Sequence, residues 1–295
     1  MGTNIDFSKI KRIILSRKGF DSTFGELPNA IINNKDFVVF PIPSITEQHQ
    51  EDDTKYSELY YYNNNVKKSL ADIMVDLKPN VFNWKLMKKS KGFCHFDPDI
   101  VENEKERKNY KWVGAFGQSD QAFSHLKNQK VDKYDLFLFF GRFREVDMDE
   151  NGKCSYKKNA KDKQVIYGYL LIDHCVDNYD EMQKNLNWHP HSVESRKEQT
   201  DLGKNGIYIA KKINNEYCCG HFKYDKCLDL TKEGCDKITY WRNDYKWFNK
   251  LTYHSENSKK EDYFQAVSRG QEFVAVIEEN DGIRDFLKTI FKFAE

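Results

Sequence analysis

Lys133–Asp173 reads KYDLFLFFGRFREVDMDENGKCSYKKNAKDKQVIYGYLLID, and its two apolar runs decide the fold. Leu136–Phe140 and Val165–Ile172 are dense in aromatic and β-branched residues, which suit a pleated, packed surface. Asp149-Glu150-Asn151-Gly152 between them is a turn signal, so the stretch predicts a hairpin at the centre of a mixed sheet. Hardly a polar residue interrupts either run, and both faces are therefore expected to be covered by other elements. Gly141, Arg142 and Arg144 leave the first strand where the sheet ends, and a site is expected there.

Outward from this hairpin the chain supplies the cover. Lys11–Ser16 (KRIILS) and Phe37–Ile42 (FVVFPI) read as strands, the second stopped by prolines. Gln48–Asn65 reads as a polar, Tyr-rich loop, and Val66–Leu77 carries apolar residues at helical spacing. Gln118–Leu126 and Asp180–Asn185 read as helices, Gly206–Lys211 and Tyr217–Phe222 as short strands. Arg269–Val276 enters a last strand, and Asp281–Phe293 makes a C-terminal helix through Ile283, Phe286, Leu287, Ile290 and Phe291. The aromatic-rich Ile238–Tyr253 would cover the sheet or stack on bases, and cover is the expected role. The result is an α+β class, a mixed and mainly antiparallel sheet covered by helices. It is expected as one large domain over 1–295, or as two intimate lobes joining near 192–205, where the polar Ser192–Asn205 lies.

Composition narrows the function classes. With 47 Lys+Arg against 46 Asp+Glu the net charge is +1, so any grip on a nucleic-acid backbone must come from local patches. Seven cysteines without a CxxC pair argue for reduced thiols rather than a disulfide framework, and the spacings of Cys218–Cys235 match no common zinc pattern. Neither a signal-peptide pattern nor an apolar run of about 18 residues is visible, and the expected place is the cytoplasm, away from membranes.

Four segments carry candidate chemistry, each with a plain structural alternative. The loop after the first strand, Arg17-Lys18-Gly19-Phe20-Asp21-Ser22, presents a cation, a carboxylate and a hydroxyl, or is a capped turn around Asp21. His95-Phe96-Asp97-Pro98-Asp99 places His95, Asp97 and Asp99 on one face if extended, a metal-binding or acid/base set. Otherwise Asp97 is a turn former before Pro98. Gly117-Gln118-Ser119 opens a helix whose free N–H groups suit an anion or a base edge, or are merely capped. Trp188-His189-Pro190-His191 offers two imidazoles at a loop, as bases or ligands, or as packing.

Taken together, ILSRKGFDS, PIPS (Pro41–Ser44), HFDPD (His95–Asp99), AFGQSDQAFSHL (Ala115–Leu126), DLFLFFGRFR (Asp135–Arg144), HPH (His189–His191) and RGQEFV (Arg269–Val274) resemble, in this order, the nucleotide-modification-associated domain 3 family of bacteria and phages. FGELPNAIINN departs from that pattern after Ser22, and Arg142 stands where an aromatic residue is usual. DLFLFFG with IYGYLLI is also similar to PUA-like partial barrels, many of which hold a flipped modified base. The resemblance implies a protein of modified-DNA biology whose partner is DNA or a nucleotide; it names no cofactor. On it, Asp21, His95, Asp97 and His189 are the catalytic candidates. Lys18, Arg142 and Arg144 would hold phosphate; Ser22, Gln118 and Gln271 would touch the substrate; and Phe116 or Phe140 would stack a base. Two further readings stand beside this base-acting enzyme: a PUA-like reader without catalysis, and a metal-dependent nuclease using HxDxD, for which no second acidic cluster is evident.

Overall fold

A computed structural model describes residues 5–20, 27–44, 54–63, 66–105, 111–270 and 272–295. Its spine is the predicted hairpin, longer than the apolar runs alone suggest. Leu136–Met148 pairs antiparallel with Lys163–Val176, from Leu136 opposite Leu171 to Phe143 opposite Lys163, with a bulge at Phe139/Phe140. Nine consecutive residues of the second strand, Gln164–Ile172, are buried, which is the two-sided cover expected of a run with so few polar residues. Each fully buried Phe or Leu of this pair contributes about 1.5–3 kcal/mol of transfer free energy.

Arg12–Arg17 lies parallel to Leu136–Phe140, and Glu272–Val276 closes that edge antiparallel to Arg12–Ser16. On the other side Asn205–Ala210 pairs with the end of Lys163–Val176, and Ala115–Ser119 pairs with Asn205–Ala210. The sheet curls into a mostly antiparallel half-barrel with helices around it, as the α+β reading anticipates. Helix Asp120–Asn128 and helix Ile283–Ile290 turn Phe123, Leu126, Ile283, Phe286, Leu287 and Ile290 onto the main core. Trp241, Trp247 and Phe248 of the aromatic segment are buried against the same core, so that segment does cover the sheet.

One detail of the spine creates the site. Arg12–Arg17 accompanies Leu136–Met148 only as far as Phe140; from Phe143 to Val146 the same edge is taken by Asn29–Ile32, also parallel. Gly141 sits in the gap, and a Cβ there would lie 2.6 Å from the Lys18 carbonyl oxygen, a clash no side chain survives. The chain therefore leaves the sheet at Lys18–Phe20 and opens a cleft beside Gly141.

Two local readings are corrected. Phe37–Ile42 is not one strand: Asp36–Val38 pairs with Asn29–Ile32, whereas Ile42–Pro43 pairs with Phe93–His95. The break follows from the buried Asn29, whose Oδ1 accepts the Phe40 N–H at 2.8 Å and so replaces a ladder bond. The helix expected from Val66 begins only at Leu70. Val66–Ser69 is a strand hydrogen-bonded to Tyr60–Asn63, and Ser69 caps the helix by accepting the Asp72 N–H at 3.0 Å. Ser192–Asn205 is built into a 3-10 turn, Glu194–Arg196, and a helix, Lys197–Asp201, with Thr200 and Asn205 buried. The seven cysteines are free thiols, and among the described residues no helix is long and apolar enough to cross a membrane.

Candidate functional site

The cleft has a volume of about 1740 Å³ and is lined by Lys18, His95, Asp97, Gln118, Arg142 and Arg144 among others. Six of the positions singled out in the sequence, drawn from four distant segments, thus face one space. Asp21, Ser22 and Gln271 lie outside the described residues.

Asp97 is the most constrained of these side chains. One carboxylate oxygen accepts the Gly117 backbone N–H at 2.8 Å, and the other lies 3.2 Å from His191 Nε2. Burial opposes its ionisation, but the hydrogen bond and charge of His191, with Lys18 further off, win and hold the carboxyl well below the usual range. The tautomers follow from the partners. Asn205 donates its amide hydrogens to the His191 carbonyl at 2.9 Å and to Thr200 Oγ1 at 2.8 Å, so its oxygen must accept from His191 Nδ1 at 2.7 Å. His191 therefore has a hydrogen on Nδ1, and its Nε2 faces the Asp97 carboxylate.

His189 behaves differently although it lies two residues away. It is fully buried, and its Nδ1 accepts the His191 backbone N–H at 3.1 Å, which leaves the proton on Nε2. Nε2 has no hydrogen-bond partner among the described residues and stands 3.8 Å from Asp97. Burial pushes this imidazole down to about 3, against the pull of Asp97, so it is neutral across the physiological range. The HPH loop can approach only because residue 117 is glycine: a Cβ there would come within 2.3 Å of the His191 ring and 2.7 Å of the His189 ring.

A second polar group adjoins the first. Glu272, 2% exposed, accepts from Ser16 Oγ at 3.1 Å, Lys18 Nζ at 3.1 Å and the Gln118 amide, all on one oxygen. Its other oxygen is buried without a partner among the described residues. Gln118 is thereby held in the wall: it also accepts the Ser119 N–H at 3.1 Å, and only 6% of it is exposed. Helix Asp120–Asn128 starts at the cleft with no side-chain cap on its first N–H groups.

Other expectations are redistributed. The extended HxDxD face does not form, because the strand ends at His95, whose Nδ1 meets Ser44 Oγ at 2.8 Å, and Asp99 turns away to accept the Trp112 indole N–H at 2.9 Å. Among the described residues no group of three His, Cys, Asp or Glu is placed to hold a metal. Phe116 and Phe140 are fully buried. Phe116 packs on Phe137 and Phe139 beneath Lys18 Nζ, and Phe140 on Trp241 and Phe273, so neither offers a free face to a base. Arg142 and Arg144 line the cleft but share Asp162 as carboxylate partner through their Nε groups.

Three residues escaped the sequence reading. Glu272 is a lone carboxylate opening a buried strand, a signal that was legible in RGQEFV. Arg196 lines the cleft with no carboxylate partner among the described residues. Tyr253 lines it too, 59% exposed, with its ring 4.8 Å from that of His125. Nothing local marks Arg196, and Tyr253 is marked only as one ring of the aromatic segment.

A curled half-barrel with a cation-rimmed cleft over a fixed carboxylate defines the chain as an α+β protein with a candidate ligand site. The chain matches, over residues 12–276, the family described as nucleotide modification associated domain 3, and it belongs to that family. No curated protein and no solved structure matches it.

Proposed function

We propose that the protein binds a nucleobase in this cleft and modifies it. The observation that carries the reading is Asp97: a carboxylate kept ionised while buried, aimed into an open cleft and braced by a backbone N–H and an imidazole. Such a group is suited to take a hydrogen bond from a base edge, with the His191 imidazole beside it orienting the carboxylate. His95, on the same wall, is the mobile proton carrier. Lys18 and Arg196 supply positive charge for a phosphate, Arg142 and Arg144 contribute the guanidinium edges not spent on Asp162, and the exposed face of Tyr253 stacks the base. The family's association with nucleotide modification supports the same substrate class.

A second reading has its own support. Both oxygens of Asp97, both nitrogens of His191 and the Nε groups of both arginines are already engaged, which suits a rigid, PUA-like reader of a modified base as well as an enzyme. The deciding experiment is mass spectrometry of nucleosides from plain and phage-modified DNA incubated with wild type and with Asp97→Asn. The enzyme reading expects a shifted nucleoside peak with wild type alone, while the variant still retains DNA. Retention with no shift in any sample rejects catalysis and leaves the reader.

A further inference from the structure

We infer that the base arrives at the cleft as part of a polynucleotide strand, whose phosphates are held by a lysine ridge on the helix Lys85–Ser90 and on Lys91. The inference rests on the cleft being a nucleobase site, and it selects strand over free nucleotide. On a chain with net charge +1, residues 85–91 hold four lysines and no carboxylate, which leaves −3 for the remainder. The surplus is concentrated. Met87 and Ser90 face inward, and Lys85, Lys88 and Lys89 are exposed on the opposite face at helical spacings of three and four. Lys91, also exposed, ends the helix in the left-handed region at φ 52°.

None of these four lysines has a carboxylate partner among the described residues. Some exposed lysines elsewhere do, such as Lys127 with Asp177, Lys133 with Asp173 and Lys197 with Asp201, and others such as Lys130 and Lys212 do not; what sets the ridge apart is four such lysines together on one short helix and its end. Like charges stacked at such spacings weaken a helix by a few tenths of a kcal/mol per pair, so the ridge is not explained by helix stability. A row of phosphates would relieve that repulsion.

The ridge also leads to the cleft. The helix packs on Ile42–Pro43, which pairs with Phe93–His95, and Ile42, Pro43 and His95 all line the cleft. Lys91 is four residues from His95, a span of at most about 13 Å in extended chain. Asp97 lies two residues beyond His95, at most about 20 Å of extended chain from Lys91, so a strand of a few nucleotides spans from a base held there to the ridge.

The test uses the full chain, a fluorescein-labelled single-stranded DNA 20-mer, and the four deoxynucleoside monophosphates. In a K85Q/K88Q/K89Q/K91Q variant, 20-mer affinity at 0.1 M salt is expected to fall at least about tenfold. The slope of log K against log salt should drop by about 0.7 for each phosphate no longer neutralised, and monophosphate binding should not change. Charge reversal at Lys88 and Lys89 alone should weaken the 20-mer further per residue, with an unchanged circular dichroism spectrum as the folding check. The inference is overturned by an unaltered salt slope, by disappearance of monophosphate binding in a folded variant, or by wild type that binds anionic phospholipid vesicles but not the 20-mer. If Arg196→Gln leaves monophosphate and 20-mer binding untouched while the lysine variant releases the strand, the cleft reading fails and the ridge stands.

Discussion

Acid should expose the neutral imidazole of His189 as a specific weakness. In the unfolded chain this group ionises near its ordinary value of 6.5, whereas burial holds it at about 3 in the fold. The unfolded state thus binds one more proton between these values, so the stability is whole above pH 6.5 and is lost as pH falls, at about 1.4 kcal/mol per pH unit. The loss from this one group is about 4 kcal/mol at pH 3 and levels off at about 5 kcal/mol below it. His221, pushed by burial down to about 4, acts in the same direction. Asp135 acts in the opposite one, since burial, partly offset by hydrogen bonds and the charge of Arg12, raises its carboxyl to about 6 and lets the fold keep a proton that the unfolded chain releases. The wild-type slope is therefore composite, and the informative quantity is its difference from a His189→Asn variant. Asn retains an acceptor for the His191 N–H but does not titrate. Urea unfolding at about pH 6.0 and 4.5 should show wild type losing about 2 kcal/mol more than the variant over that interval. Parallel losses would refute the assignment of a neutral, buried His189.

Gly117→Ala should destabilise the protein by about 1–3 kcal/mol in denaturant unfolding and abolish ligand binding, because the new methyl displaces both imidazoles from Asp97. Glu272→Gln removes the carboxylate partner of Lys18, whose side chain is only 9% exposed, and should cost about 3–5 kcal/mol, measurable as a lowered Tm. Asp97→Asn should weaken the fold by about 1.5–3 kcal/mol, the worth of a charged hydrogen bond, while removing any nucleoside conversion seen by mass spectrometry. Tyr253→Ala should reduce oligonucleotide affinity by about 1–3 kcal/mol in anisotropy titrations, and Tyr253→Phe should leave it within error, because stacking needs the ring and not the hydroxyl.

The core of the fold was legible because burial on two faces leaves an uninterrupted apolar run, and Leu136–Phe140 with Val165–Ile172 could be little else. Arg12–Arg17 and Glu272–Val276 were readable for the same reason. The hairpin of Tyr60–Asn63 and Val66–Ser69 was not: it is half solvated, and its apolar residues happen to satisfy a helical period that truly begins at Leu70. At the site, Lys18, His95, Asp97 and Gln118 were visible as unusual polar residues beside strand ends. What they do there was not, since it is fixed by tertiary partners. Gln118 is held by Glu272 across 154 residues and Asp97 by a histidine in another loop. Arg196 had no sequence mark, and Tyr253 was only one ring of an aromatic segment, because an arginine without a carboxylate partner among the described residues, or a tyrosine with a bare face, is known only once its neighbours are placed.

The change of neighbour beside Gly141 separates what the spine must conserve from what it can alter. Along that strand Phe143 points into packed interior, but Arg142 and Arg144 point the other way and line the cleft, and the ladder bonds there come from the backbone alone. Exchanging those two side chains can recast the sign and shape of the recess while the frame beneath keeps its hydrogen bonds. One scaffold can in this way serve chemically different ligands with few substitutions.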